Sequence, residues 1–178
     1  MTYIQNYHSP LGEMLLAADE IGLTGLWFSG AKYYGDKLPK ERIVRETPIL
    51  RETERWLDLY FSGRAPDFMP PLNPEGSEFR QAVWKLLLRI PYGTTVTYGE
   101  LARQLTEERG LHRMSAQAVG GAVGHNKISI LIPCHRVVGT NGSLTGYAGG
   151  MEKKLQLLEL EQVDMRKLFV PKNSAALS

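Results

Sequence analysis

The chain has one cysteine, Cys134, and a histidine follows it directly. Thiol and imidazole are the pair best suited to nucleophilic work near neutral pH, because the thiolate attacks and the imidazole takes the proton that the thiol gives up. One cysteine excludes an intramolecular disulfide and the clustered thiolates of a zinc finger. It does not by itself establish a nucleophile, since a lone cysteine is more often a small buried apolar side chain. The preceding run, Ile128-Ser129-Ile130-Leu131-Ile132, reads as a buried strand that ends at Pro133. Neighbours on a strand point to opposite faces. Contact between Cys134 and His135 therefore needs a bend or a bridging water, and Pro133 is placed to supply the bend.

These residues must be held by elements whose ends are marked in the sequence. Glu13–Ala18 and Leu23–Phe28 read as strands around a turn at Asp19–Gly22, within a region of short strands from residue 3 to 28; residues 29–46 are charged and irregular. Thr47-Pro48 reads as a cap and first helical position, with Ile49, Thr53, Trp56, Leu57 and Tyr60 at helical spacing and Gly63 closing the segment. Pro66, Pro70, Pro71 and Pro74 make a stiff linker. The expected division is residues 1–70, a linker at 71–76, a second domain at 77–171 and a flexible tail at 172–178.

In the second half, Ser77 caps a helix with Phe79, Val83, Leu86, Leu87 and Ile90 on its apolar stripe, and Pro91 stops it. Thr97-Tyr98-Gly99-Glu100 forms a capping box for the next helix, which Gly110 ends. Ser115 caps a third, Ala116–Val123, and the pair suggests helix-turn-helix. The adjacent Gly120 and Gly121 each cost that helix about 1 kcal/mol relative to alanine. Two readings stay open: close packing against a neighbouring helix, or a smooth face that enters a narrow groove of DNA. Val137-Val138, a turn at Asn141-Gly142, a loop at Gly146–Gly150 and a last helix with Met151, Leu155 and Leu158 on one face complete the chain, with Glu161 near its end.

Charge is uneven. Residues 1–76 carry a net −3 and residues 77–178 a net +5, so the cysteine-bearing half is the one suited to a polyanion. No apolar run approaches the roughly 20 residues that span a bilayer. Met1–Gln5 lacks the pattern of a signal peptide, which makes a cytoplasmic protein the expectation.

The run Ile132-Pro133-Cys134-His135-Arg136-Val137-Val138, followed by Gly146-Tyr147-Ala148-Gly149-Gly150, resembles the O6-alkylguanine-DNA alkyltransferases, or methylated-DNA–protein-cysteine methyltransferases. The resemblance is firm from Ser77 to Glu161 and looser over residues 1–70. It implies an α/β N-terminal domain with a ribonuclease-H-like small sheet and no catalytic duty. It also implies a mainly α C-terminal domain with a helix-turn-helix of winged-helix type. The activity implied is direct, stoichiometric DNA repair, in which the alkyl group of O6-alkylguanine passes irreversibly to Cys134; O4-alkylthymine is a second candidate substrate. His135 matches the base that deprotonates Cys134 through a water, and Glu161 the acid that orients it. Asn126 matches the asparagine that holds the active-site turn, and Tyr98 the tyrosine that protonates guanine N3. Backbone carbonyls of Cys134 and Val137 match acceptors for the guanine amine, and the Ala148 N–H, with Gly149 beside it, a donor to O6. Tyr147 matches the wall of the alkyl pocket. Ser115, Ala116, Ala118 and Gly120 match the helix face that enters the minor groove, and Gln117 and Arg136 are placed among the DNA-contacting residues. Duplex DNA is the implied partner of a monomer. No cofactor and no metal are implied, and the cysteine-free N-terminal half does not support the structural zinc of some relatives.

Two positions depart from the family pattern. Gln117 stands where an arginine usually fills the space of a flipped base, and the connection around Glu107–Met114 is longer than in many relatives. Two other functions compete. A lesion sensor of this fold lacks the acceptor cysteine, which this chain has. A Cys-His hydrolase needs an oxyanion hole, which nothing in the sequence marks.

Overall fold

The computed structural model describes residues 1–110 and 115–171. The connection at 111–114, with Arg113 in it, and the expected tail at 172–178 lie outside the described residues. The chain divides into two compact units, one of Met1–Glu75 with Lys127–Leu131 and one of Gly76–Asn126 with Ile132 onward. The short segment Lys127–Leu131 thus departs from the contiguous division read from the sequence.

The first unit is a four-stranded sheet with a helix. Strands β1 (Thr2–Ser9), β2 (Gly12–Ala18), β3 (Leu23–Phe28) and β4 (Arg42–Val44) lie in the order β3-β2-β1-β4. The first three are antiparallel neighbours, and β4 adds parallel to β1. In β2, Met14 to Ala18 are buried without a break. Such a continuous apolar run marks a strand covered on both faces. Leu15 and Ala17 form a cluster with Trp27, flanked by Ile4 and Leu38. Helix α1 (Pro48–Phe61) buries Leu50, Thr53, Trp56, Leu57 and Tyr60; its cap is Thr47, whose hydroxyl accepts from Leu50 N.

Lys127–Leu131 is not the strand expected there. Ile128 makes one bridge to Leu26, through Leu26 N to Lys127 O and Ser129 N to Leu26 O. The chain then turns at Ile130, whose φ is +72°, with Leu131 N donating to Ser129 O across it. A three-residue turn with positive φ is costly for a β-branched residue, and it ends strand pairing after one bridge. Apolar composition alone cannot reveal such a reversal.

The second unit carries α2 (Glu78–Leu87), α3 (Tyr98–Arg109), α4 (Ala116–Gly124) and α5 (Met151–Leu160). The side chains of Ser77, Thr97 and Ser115 accept from the third helical N–H in each case, and Gly110 closes α3 in the left-handed conformation. These hydroxyl caps satisfy donors that a helix start leaves over. Trp84 anchors the packing: it is buried, outside the stripe read from sequence, and its indole N–H donates to Ala122 O of α4. Strands β5 (Val96–Thr97) and β6 (Val137–Val138) pair in parallel. Val138 joins Leu144, Leu158 and Val163 in a buried cluster bordered by Met151 and Leu155. No helix among the described residues is long and apolar enough to cross a membrane.

Candidate active site

Cys134 is delivered by a second tight turn. Pro133 has φ −81° and ψ 63°, and Cys134 N donates to Ile132 O across it. This is the geometry of an inverse three-residue turn, which proline's fixed φ favours. Cys134–Arg136 then form one turn of 3-10 helix, closed by Arg136 N to Pro133 O. Asn126 spans the turn: its Nδ2 lies 2.8 Å from Ile132 O and 3.2 Å from Cys134 Sγ. One amide therefore fixes the backbone and donates to the sulfur.

The helical turn directs His135 toward Glu161 at the end of α5. His135 Nε2 lies 2.5 Å from Glu161 Oε2, and neither side chain is exposed. Arg136 closes the network. Its Nε donates to Glu161 Oε1 at 2.8 Å, its Nη2 to Oε2 at 3.1 Å and its Nη1 to Ile90 O at 2.8 Å. Gly93 N donates to Oε1 at 3.0 Å. Glu161 thus accepts four hydrogen bonds, one from a backbone amide. Arg136 also lies 5.7 Å from the centre of the Tyr92 ring. Its assignment to the DNA contacts is therefore corrected: it is 7% exposed and its guanidinium is spent inside the protein. Lys127, one of the basic residues behind the net charge of the C-terminal half, is likewise buried.

Burial dominates the electrostatics. It pushes the Cys134 thiol up, opposed by the Asn126 hydrogen bond and the Lys154 charge, so the resting group is the thiol. Burial pushes His135 down, against the pull of Glu161, so the resting imidazole is neutral. Burial alone would raise Glu161, but the hydrogen bonds and charges of His135 and Arg136 hold it well below the usual carboxylate range. A carboxylate only accepts, so His135 donates from Nε2 and Nδ1 is left as the ring's basic atom. A proton moved from Cys134 to His135 would leave a thiolate that accepts from Asn126 and feels the Lys154 charge, and an imidazolium beside Glu161. Each new charge meets an existing opposite one.

Tyr98 opens α3, and its hydroxyl donates to Thr145 O at 3.1 Å. Burial and the Cys134 charge raise its pKa well above that of a free phenol. Gly146 sits at φ +82°, and a Cβ there would stand 2.7 Å from the Tyr98 hydroxyl, so glycine is required twice over. Tyr147 is buried and meets the His135 ring edge-on, with centroids 6.4 Å apart. Ala148 and Gly149 are half-buried in the same loop. The two carbonyls expected to face a guanine amine each hold one internal partner: Cys134 O accepts from Val137 N, and Val137 O from Lys154 Nζ. A carbonyl has two lone pairs, so neither of these bonds by itself closes its oxygen to a further donor. Sequence reasoning missed Lys154, a lysine in a helix that reads as a solvated face.

The recognition-helix residues lie apart from this chemistry. Ser115, Ala116, Gln117 and Ala118 are exposed at the start of α4, and Gly120 is half-buried against the Tyr98 ring. Gly121 is exposed, and a Cβ added there would meet none of the described residues within 4 Å beyond its own helix turn and chain neighbours. Close packing against another helix does not explain it. Among the described residues no group of three or more His, Cys, Asp or Glu side chains is placed to hold a metal ion.

Comparison with known proteins adds to this geometry. A family model described as the DNA binding domain of 6-O-methylguanine DNA methyltransferase matches residues 78–163, and one described as its ribonuclease-like domain matches residues 2–74. The methylated-DNA–protein-cysteine methyltransferase of Methanosarcina acetivorans is 42% identical over 165 residues, covering 89% of this chain and 97% of that protein. That of Haemophilus influenzae is 40% identical, covering 90% and 87%. Among solved structures, a Mycobacterium tuberculosis OGT in complex with DNA matches with a TM-score of 0.78 at 39% identity, covering 90% of this chain and 92% of that one.

Proposed function

The chain belongs to the 6-O-methylguanine DNA methyltransferase family, and on that premise we propose which of its atoms carry the family's reaction. It repairs DNA directly, moving the alkyl group of O6-alkylguanine onto a cysteine of its own in a single turnover. That cysteine is Cys134, the only one present. His135 takes the thiol proton at Nδ1 through a water, with the resulting imidazolium held by Glu161. The thiolate attacks the alkyl carbon from the side opposite O6. The S–C bond forms as the C–O6 bond breaks, and the electron pair goes to the guanine. Tyr98 lends its proton to N3, which keeps the leaving base from becoming a full anion. The Ala148 N–H faces O6, the second lone pairs of the Cys134 and Val137 carbonyls take the exocyclic amine, and Tyr147 bounds the alkyl group. The product is a thioether, which no residue of the network can reverse.

Guanine O6 lies inside the duplex, so the nucleotide is flipped out to reach a buried sulfur. The exposed, nearly side-chain-free face of α4 at Ser115–Ala118, with Gly120, suits close approach to the minor groove. Exposed Lys85 and Arg103, with half-buried Arg80, supply charge for the phosphates. Acceptor, base and acid all come from one chain, so a monomer suffices for the reaction.

One observation carries the assignment: the only thiol sits under a donated amide hydrogen bond, next to a neutral imidazole whose far nitrogen is locked to a buried carboxylate. The test is intact-mass analysis after incubation with methylated duplex, followed by peptide mapping. One added methyl group on the Cys134 peptide is expected. No mass change, or a methyl group elsewhere, overturns the reading.

A further inference from the structure

A buried charge near the sulfur belongs to Lys154, and balancing a thiolate does not account for the hydrogen bonds it makes. Lys154 is wholly inaccessible. Its Nζ donates to Val137 O at 2.5 Å and to Thr145 O at 2.7 Å, so one ammonium joins β6 to the loop that carries Tyr147 and Ala148. Thr145 O is the same oxygen that accepts from the Tyr98 hydroxyl. With Gly146 leaving no room for a side chain against that hydroxyl, Tyr98 is parked on the loop. To donate to a substrate it must let go of Thr145 O. A half-buried carbonyl that loses a partner and gains none costs more than the average hydrogen bond is worth.

We infer that Lys154 is a positioning residue for the transfer step: it holds the two backbone walls of the base pocket together and keeps the Thr145 carbonyl hydrogen-bonded when Tyr98 turns its hydroxyl to the departing guanine. This rests on the roles proposed for Cys134 and Tyr98. The groups whose charges face Lys154 are the Cys134 sulfur and the His135 ring. Burial pushes Lys154 down to about 8, so the ammonium remains its main form at neutral pH. There it also balances the thiolate.

The test is a double-substitution cycle on the full chain, read as single-turnover rates with methylated duplex and with free O6-benzylguanine. Iodoacetamide labelling of Cys134 reports the thiolate without any base in the pocket. Lys154→Met is expected to slow both base reactions by roughly tenfold or more, and to slow iodoacetamide labelling by less. In a Tyr98→Phe background the same substitution is expected to cost clearly less, because no hydroxyl then leaves Thr145 O during the reaction. Equal cost in the two backgrounds overturns the inference, as does an unchanged rate. Iodoacetamide labelling that falls by the same factor as the base reactions also overturns it, because Lys154 then acts through its charge alone. Thermal melts accompany every variant. Where Lys154→Met does not fold, Lys154→Gln, which keeps an N–H donor but not the charge, goes through the cycle instead: base reactions close to wild type support the hydrogen-bonding role, and a loss of equal size in the two Tyr98 backgrounds overturns it. If the wild-type chain adds no methyl group to Cys134, the underlying reading fails and this inference falls with it. If it does and the cycle is additive, only the role of Lys154 fails.

Discussion

Two parts of the second unit make opposite use of their side chains. Around Glu161, a carboxylate, a guanidinium, an imidazole and a backbone amide are packed out of water with the carboxylate's acceptors all engaged. At the start of α4, a helix shows the solvent little more than methyl groups, one glutamine and backbone. The first region is all interaction and no exposure, and the second the reverse. Charge acts on a proton most strongly where water does not screen it. Close approach to another molecule needs a surface that gets out of the way. Chemistry and recognition therefore pull composition in opposite directions within one unit.

The contrast can be broken most sharply at the sulfur. Cys134→Ser is expected to abolish transfer entirely while duplex binding persists, since a neutral hydroxyl is a far poorer nucleophile than a thiolate. Mass analysis and a gel-shift titration check the two halves of that statement. Any stoichiometric transfer in the variant means that the buried network serves something other than the thiol.

Glu161→Gln comes next. It strands Arg136 without its counter-ion, and breaking a buried pair in this way costs about 3–5 kcal/mol of stability near neutral pH. The folded-state pKa of Glu161 lies below its unfolded value. Its contribution is therefore present above the ordinary carboxylate range and is lost as pH falls toward the depressed value. Thermal melts from pH 7 downward should show wild type and variant converging in acid. At a pH where the variant is folded, iodoacetamide should label Cys134 only at higher pH than in wild type. A labelling profile that does not move would make Glu161 a support for Arg136 alone.

On α4 the expected effects are smaller and of mixed sign. Gly121→Ala adds a methyl group where none of the described residues beyond its own helix turn and chain neighbours stands within 4 Å. It should stabilise the fold by up to about 1 kcal/mol and weaken duplex binding. A variant that is destabilised, or that binds as before, would show that the bare face is not reserved for DNA. Gln117→Arg is expected to change least. It adds a charge and a planar fork where the family pattern has one, so it should tighten duplex binding and speed duplex repair modestly. The reaction with free O6-benzylguanine, which needs no flipping, should not change. Equal slowing of both reactions would mean that the side chain supports the fold.

What could be read from the sequence follows the range of the interactions. Helix starts at Thr47, Ser77, Thr97 and Ser115 were legible because a cap bonds three residues away. The family signature exposed Cys134 and His135, and through them Glu161, because their spacing is rare. The strand expected at Ile128–Ile132 was not legible as a pair of tight turns, because Ile130 adopts a conformation its residue type disfavours and tertiary context imposes. Arg136 was assigned outward because arginine usually lies on the surface; its partners, Ile90 and Glu161, are distant in sequence. Lys154 was invisible for the same reason, since its acceptors are backbone carbonyls that carry no residue signature. The parallel pair of Val96–Thr97 with Val137–Val138 joins segments that no local pattern connects.

The division of the chain bears on how this protein can be cut. Because Lys127–Leu131 packs with the first unit while the residues on both sides of it belong to the second, the backbone passes between the units at three places. A truncation that begins at Gly76 would carry Ile128, Ile130 and Leu131, all buried in the intact chain, without the sheet edge at Leu26 that Ile128 bridges. Such a fragment would be sticky and its cysteine turn loosely tethered, even with every residue of the reaction present. Splitting the gene at the proline-rich linker is thus a poor route to a minimal alkyl acceptor. Co-expression of the two pieces, or a circular permutation that leaves 126–132 intact, respects the path the chain takes.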